Sequence, residues 1–185
     1  SGRPQPKDDA DAELLKRLEL LESIEATAHS LDVAGLDATD LVEMTRLVER
    51  IEAENGPLNG VIVAAGVADM AGAIHHRSTE SNRASIAAKV DAISVLDQLF
   101  GKRRLDFMMF SSSIATALYH NRYAQVGYVT GNSYAEAFGL VKSASGTPVI
   151  SIAWDDWLSL GMSVRAAQRF SETYGDEIQL MDEVH

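Results

Sequence analysis

A carbonyl oxygen could be held and protonated by three residue types that fall within one stretch, 107–138. A hydrophobic run ends in Ser111, Ser112 and Ser113; a loop leads to Tyr128, and Asn132 follows four positions later. A spacing of four places phenol and amide on one face of a helix. A serine hydroxyl at a strand end, facing a tyrosine on the next helix, can hydrogen-bond an oxygen while the phenol gives it a proton. Tyrosine ionises only near pH 10. Acid catalysis near neutrality therefore requires a nearby cation to lower that value, and the chain must bring a lysine or arginine to the tyrosine.

These groups need a frame that places strand ends beside helix starts, and the hydrophobic pattern supplies one. Leu14, Leu15, Leu18 and Leu21 recur at helical spacing, with Asp8, Asp9 and Asp11 at the end where carboxylates are favoured. Glu25 to Val33 alternates like a strand ending at Asp32, with His29 inside it. A helix is predicted from Thr39 to Glu54, built on Leu41, Met44, Leu47, Val48 and Ile51 and stopped by Asn55-Gly56-Pro57. Gly60 to Gly66 is a continuous apolar run, as suits a strand buried on both faces of a parallel sheet. A helix from Thr79 to Phe100 follows, its stripe made by Ile86, Val90, Ile93, Leu96 and Phe100 and flanked by Lys89 and Asp91. Leu105 to Phe110 and Thr147 to Trp154 complete four predicted strands, and a surface helix is expected over 164–174. Alternation of helix and strand predicts an α/β fold with a parallel sheet, in one domain covering 1–185.

In such sheets ligands bind beyond the carboxyl ends of the strands. Asp32, Ala64-Ala65-Gly66, the three serines and Asp155-Asp156 would line that edge. Small residues at 64–66 would let a flat ligand approach the backbone. Composition narrows the chemistry further. With no cysteine, disulfides, zinc-thiolate sites and cysteine nucleophiles are excluded. A net charge of -11 argues against nucleic-acid partners, which select a basic face. No apolar stretch is long enough for a bilayer span, so the expected setting is the cytosol, away from membranes. The histidines form no metal-ligand spacing.

The segments HSLDV, GPLNGVIVAAGV, AAKVDA, LDFMMFSSS, YVTGN and TPVISIAWDDWLSLGM, in this order over roughly 25–162, resemble the ketoreductase domains of modular polyketide synthases. These belong to the short-chain dehydrogenase/reductase superfamily. The resemblance implies a Rossmann-like, doubly wound sheet with helices on both faces. It also implies NADPH-dependent reduction of a β-ketoacyl group carried on an acyl carrier protein, beside neighbouring synthase domains. Tyr128 matches the catalytic acid, Ser112 the serine that bonds the substrate carbonyl and Asn132 the asparagine of the proton relay; Ser113 stands as the alternative serine. Lys89 in AAKVDA matches the lysine this branch carries on the preceding helix, and so the required cation. For the cofactor, the resemblance implies Asp32 and Val33 near the adenine, Ala64, Ala65 and Gly66 against the dinucleotide, Lys89 and Tyr128 beside it, and Arg3 on a 2'-phosphate.

Departures from the family pattern carry expectations too. No glycine-rich TGxxGxxG segment precedes the first helix, and the chain stops before the family's last strand and helix. A sheet incomplete at both ends and weak cofactor binding by this chain alone are therefore expected. The segment between Ser112 and Tyr128, filled by Tyr119, His120, Arg122 and Tyr123, is longer than usual and is expected to bulge at the substrate entrance. GVADM stands where an LDD motif marks one stereochemical class, with only Asp69 kept. Arg165 and Arg169 are expected to meet an acidic carrier protein. Two other readings stand beside the reductase, a noncatalytic structural piece of a megasynthase and a freestanding short-chain dehydrogenase. The second is disfavoured because freestanding members mostly place the lysine four residues after the tyrosine.

Overall fold

The computed structural model describes residues 9–67, 69, 74–118, 125–144, 146 and 148–155. Arg3, the 119–123 loop, Arg165, Arg169 and the helix expected over 164–174 lie outside the described residues. The chain divides into two compact units, Ser1–Gly35 and Leu36–His185.

In the first unit α1 (Asp9–Glu25) forms as the leucine spacing predicts, with Leu14 and Leu18 exposed. The strand expected over 25–33 does not form. Glu25 ends the helix, and the chain then turns, with the amides of Thr27 and Ala28 donating to the Ile24 carbonyl at 3.0 and 2.8 Å. Residues 26–35 are irregular, and His29 sits in a bend. Strand pairing gains stability from side chains packed on a half-buried surface. Ala26, Thr27, Ala28 and Ser30 have little apolar surface to bury, His29 is exposed and Val33 is 67% exposed.

The second unit carries the sheet. Its first helix, α2 (Leu41–Asn55), begins where Asp40 accepts the amides of Val42 and Glu43 at 2.8 and 3.0 Å. These are donors that a helix start leaves unpaired. It ends at Gly56, whose φ of 87° few other residues adopt. After β1 (Gly60–Val63) come a short 3-10 turn (Ile74–His76) and α3 (Thr79–Phe100), capped by the Ser78 hydroxyl on the Ser81 amide. β2 (Phe107–Ser113), a second 3-10 turn (Ile114–Thr116), α4 (Val126–Ala144) and β3 (Val149–Trp154) follow. The strands lie in the order β1-β2-β3, all parallel, with Val63 beside Phe110 and Phe110 beside Ser151. Three strand C-termini thus open on one edge.

Side chains alternate across β2. Met108, Phe110 and Ser112 are buried, and the first two join Val48, Val63, Ile93, Leu96, Leu99, Phe100, Leu105 and Ala135 in one core. Helix and strand approach closely where α4 presents Gly139. A Cβ there would stand 2.8 Å from Ser151 Oγ and 3.3 Å from Val149 Cγ1. Gly139→Ala is therefore expected to destabilise the fold by about 1–3 kcal/mol, the cost of overfilling a packed interface, as measured by urea unfolding. Among the described residues no helix is long and apolar enough to cross a membrane, and no group of three or more His, Asp or Glu could hold a metal ion.

Candidate active site

At the C-terminal edge of the sheet, Lys89 of α3 and Ser112 of β2 meet α4, the helix that carries Tyr128 and Asn132. On α4, Tyr128, Asn132 and Glu136 recur at four-residue spacing and so share one stripe. Asn132 is fully buried, its amide nitrogen donating to the Tyr128 carbonyl at 3.0 Å. Its Oδ1 has no hydrogen-bond partner among the described residues. A buried oxygen without a donor is unfavourable by itself. Such a group suits a ligand or an ordered water.

Lys89 reaches the same place from α3. The sequence pattern sets it at the flank of an apolar stripe, yet it is 7% exposed. Gly131 makes room for it, since a Cβ at that position would lie 3.3 Å from the lysine Cβ. Its Nζ donates to the Ser111 carbonyl at 2.6 Å. That uses one of three ammonium donors. Burial withdraws water from the charge and lowers the lysine pKa from its ordinary value.

Ser112 points from β2 toward α4, where its hydroxyl donates to Glu136 Oε1. Thr116 Oγ1 lies 3.0 Å from the same oxygen and 2.9 Å from the Ser113 carbonyl, sharing its one proton between them. Ser113, the next residue along the strand, instead accepts the Ala115 amide at 3.2 Å and starts the 3-10 turn. Glu136 is a member of the site that residue patterns missed, although it continues the Tyr128–Asn132 spacing by one more turn. Glu136→Ala takes the acceptor of the buried Ser112 hydroxyl and is expected to cost about 1–3 kcal/mol of stability in urea unfolding.

Beyond β1, Ala64, Ala65, Gly66 and Val67 form an exposed ledge of mostly small residues on the same edge of the sheet. Asp32 and Val33 belong to the first unit.

Residues 1–159 match the family described as the KR domain. The chain is 29% identical over 156 residues to 6-methylsalicylic acid synthase of Aspergillus terreus, covering 84% of this chain and 8% of that protein. It is 34% identical over 132 residues to polyketide synthase GfsA of Streptomyces halstedii, covering 71% and 2%. The chain thus spans under a tenth of the length of these relatives. Among solved structures it is similar to PlmKR1, the ketoreductase from the first module of phoslactomycin biosynthesis in Streptomyces sp. HK803. That likeness has a TM-score of 0.73 at 31% identity and covers 84% of this chain and 35% of that one. An A1-type ketoreductase gives a TM-score of 0.71 at 26% identity, covering 91% and 34%.

Proposed function

Because the chain belongs to the KR-domain family, the ketoreductase domains of polyketide synthases in the short-chain dehydrogenase/reductase superfamily, we propose that its site reduces a β-keto group to a β-hydroxyl group during polyketide assembly. The substrate is a β-ketoacyl chain on an acyl carrier protein, delivered among neighbouring synthase domains. The observation that carries this reading is the buried ammonium of Lys89, fixed at the end of β2 and packed against the helix that bears Tyr128 and Asn132.

The residues fit a reduced dinucleotide. A ledge of small residues at 64–66 lies open beyond β1, and a buried lysine with donors to spare and the unpaired Asn132 oxygen suit a hydroxyl-rich ligand. Ala64, Ala65, Gly66, Lys89 and Tyr128 would hold NADPH, which supplies the hydride when bound. Ser112, turning its hydroxyl from Glu136 to the ketone, holds the oxygen as negative charge develops on it. Tyr128 gives that oxygen its proton. The Lys89 charge stabilises the phenolate left behind by electrostatic attraction. Asn132 Oδ1 takes a place in the relay that returns a proton to Tyr128.

The test is a fluorescence titration with NADPH and with NADH, then turnover of a β-ketoacyl N-acetylcysteamine thioester. Saturable binding that favours NADPH, with a β-hydroxyacyl thioester as product, is expected. Failure to bind either dinucleotide would leave the site as scaffolding.

A further inference from the structure

Among the described residues, the helix that carries Tyr128 starts without a local cap. Gln125, which precedes α4, is not one of the short polar residues that accept the first amides of a helix. Those amides go elsewhere. Asp69, beyond the end of β1, accepts the Gly127 amide at 2.7 Å and the Tyr128 amide at 3.4 Å through one carboxylate oxygen. The capping carboxylate thus comes from 58 residues away in sequence.

The carboxylate is itself held. One terminal guanidinium nitrogen of Arg77 lies 2.8 Å from each oxygen of Asp69, and both side chains are 1% exposed. The same nitrogen reaches Ser85 Oγ at 3.3 Å, and Arg77 Nε donates to Asn82 Oδ1 at 2.5 Å. Asn82 and Ser85 stand on α3, as does Lys89. The contact with α4 is tight. A Cβ on Gly127 would stand 1.8 Å from Ser85 Oγ and 3.2 Å from Asp69 Oδ2, so only glycine fits between them.

We propose that Asp69 and Arg77 are positioning residues, a buried ion pair that clamps the first turn of α4 to α3 and so fixes Tyr128 relative to Lys89. This rests on the reading of Tyr128 as the proton donor. A helix start is prone to fray, because its amides lack intrahelical partners. A phenol on the third residue of the helix would lose its aim with that turn, and proton transfer is sensitive to such misplacement. The negative charge also suits the positive end of α4. Leaving one ion unpaired in the interior is strongly unfavourable, which explains why aspartate and arginine occur together here.

The test removes both charges and keeps the volume. Asp69→Leu/Arg77→Met is expected to raise the native-state exchange rate of the Gly127 and Tyr128 amides by at least about tenfold, as loss of a cap does. Amides in the centre of α4 stay protected. With NADPH and the β-ketoacyl thioester, kcat falls by a similar factor while KM is unchanged. Adding Gln125→Asp, which puts a capping carboxylate next to the helix, should restore amide protection and most of kcat. A purely structural loss would not respond to that third change. Native protection and native kcat in the folded double variant would overturn the proposal, as would a fallen kcat that Gln125→Asp fails to rescue. Asp69→Asn, which keeps the shape and one acceptor, serves if the double variant does not fold. Its exchange at Gly127 and Tyr128 should still rise severalfold, and unchanged exchange there counts against the clamp. If the wild type reduces no ketone, the reading of Tyr128 fails separately and amide exchange alone decides whether the clamp exists.

Discussion

Tyr128→Phe is expected to lower kcat for the β-ketoacyl thioester by about 10²- to 10⁴-fold, the range contributed by a positioned acid. The substitution deletes one oxygen and little else. Asn132 bonds the main-chain carbonyl of residue 128, and Asp69 bonds its main-chain amide, so both contacts survive the change. The ring keeps its half-buried place at the start of α4. Stability should therefore change little and dinucleotide affinity should lose only the contact of the phenol oxygen, while turnover collapses. Steady-state kinetics beside a fluorescence titration separate the two effects. A variant retaining kcat within a factor of about two would remove Tyr128 from the acid's role.

Lys89→Met should lower kcat by about 10²- to 10³-fold, as expected when one preorganised charge is taken from a developing anion. It also yields a stability signature whose sign is fixed. Burial lowers the lysine pKa in the folded chain below its ordinary value. Between the folded value and the ordinary one, the unfolded chain binds more protons than the folded chain. Stability contributed by this group therefore rises with pH across that window, and below it the cost of burying the charge is fully present. Methionine has no such titration. The stability of wild type minus that of Lys89→Met should thus shift in favour of wild type as pH rises toward the ordinary lysine range. Urea unfolding of both chains at several pH values measures it. A difference that stays flat, or falls with pH, would show that Lys89 is not held in a dehydrated place.

The parts legible in the sequence were those set by local pattern. α3 spans Thr79–Phe100 as its apolar stripe predicts, because a serine cap opens it and Gly101 follows its last turn. The apolar runs around Val61, Phe110 and Ile150 became neighbouring parallel strands, but Ile62 and Ile150 stay 60% and 55% exposed, so the expected cover on both faces is not met by the described residues. The helical spacing of Tyr128 and Asn132 held on α4. What escaped was set by contacts between elements distant in sequence. The seeming alternation over 25–33 became a turn, because side chains that stay exposed cannot hold a strand in a sheet. Lys89 lies at the edge of an apolar stripe, and only the missing side chain of Gly131 on another helix makes room to bury it. Asp69 and Arg77 sit eight positions apart, and their joint use at the start of α4 is a property of the fold. Among the described residues, Gln125 before α4 is not a capping residue, which is the local sign of that contact.

The central claim, that Lys89, Ser112, Tyr128 and Asn132 form a ketoreductase site, is tested most directly by tracing the hydride. The chain is incubated with NADPH deuterated at the transferable position of the nicotinamide and a β-ketoacyl N-acetylcysteamine thioester, and the product is examined by mass spectrometry. The site described here predicts a β-hydroxyacyl thioester carrying one deuterium on the former keto carbon, absent with Tyr128→Phe. Recovery of unreduced ketone beside intact NADPH, or of a product without deuterium, would contradict it.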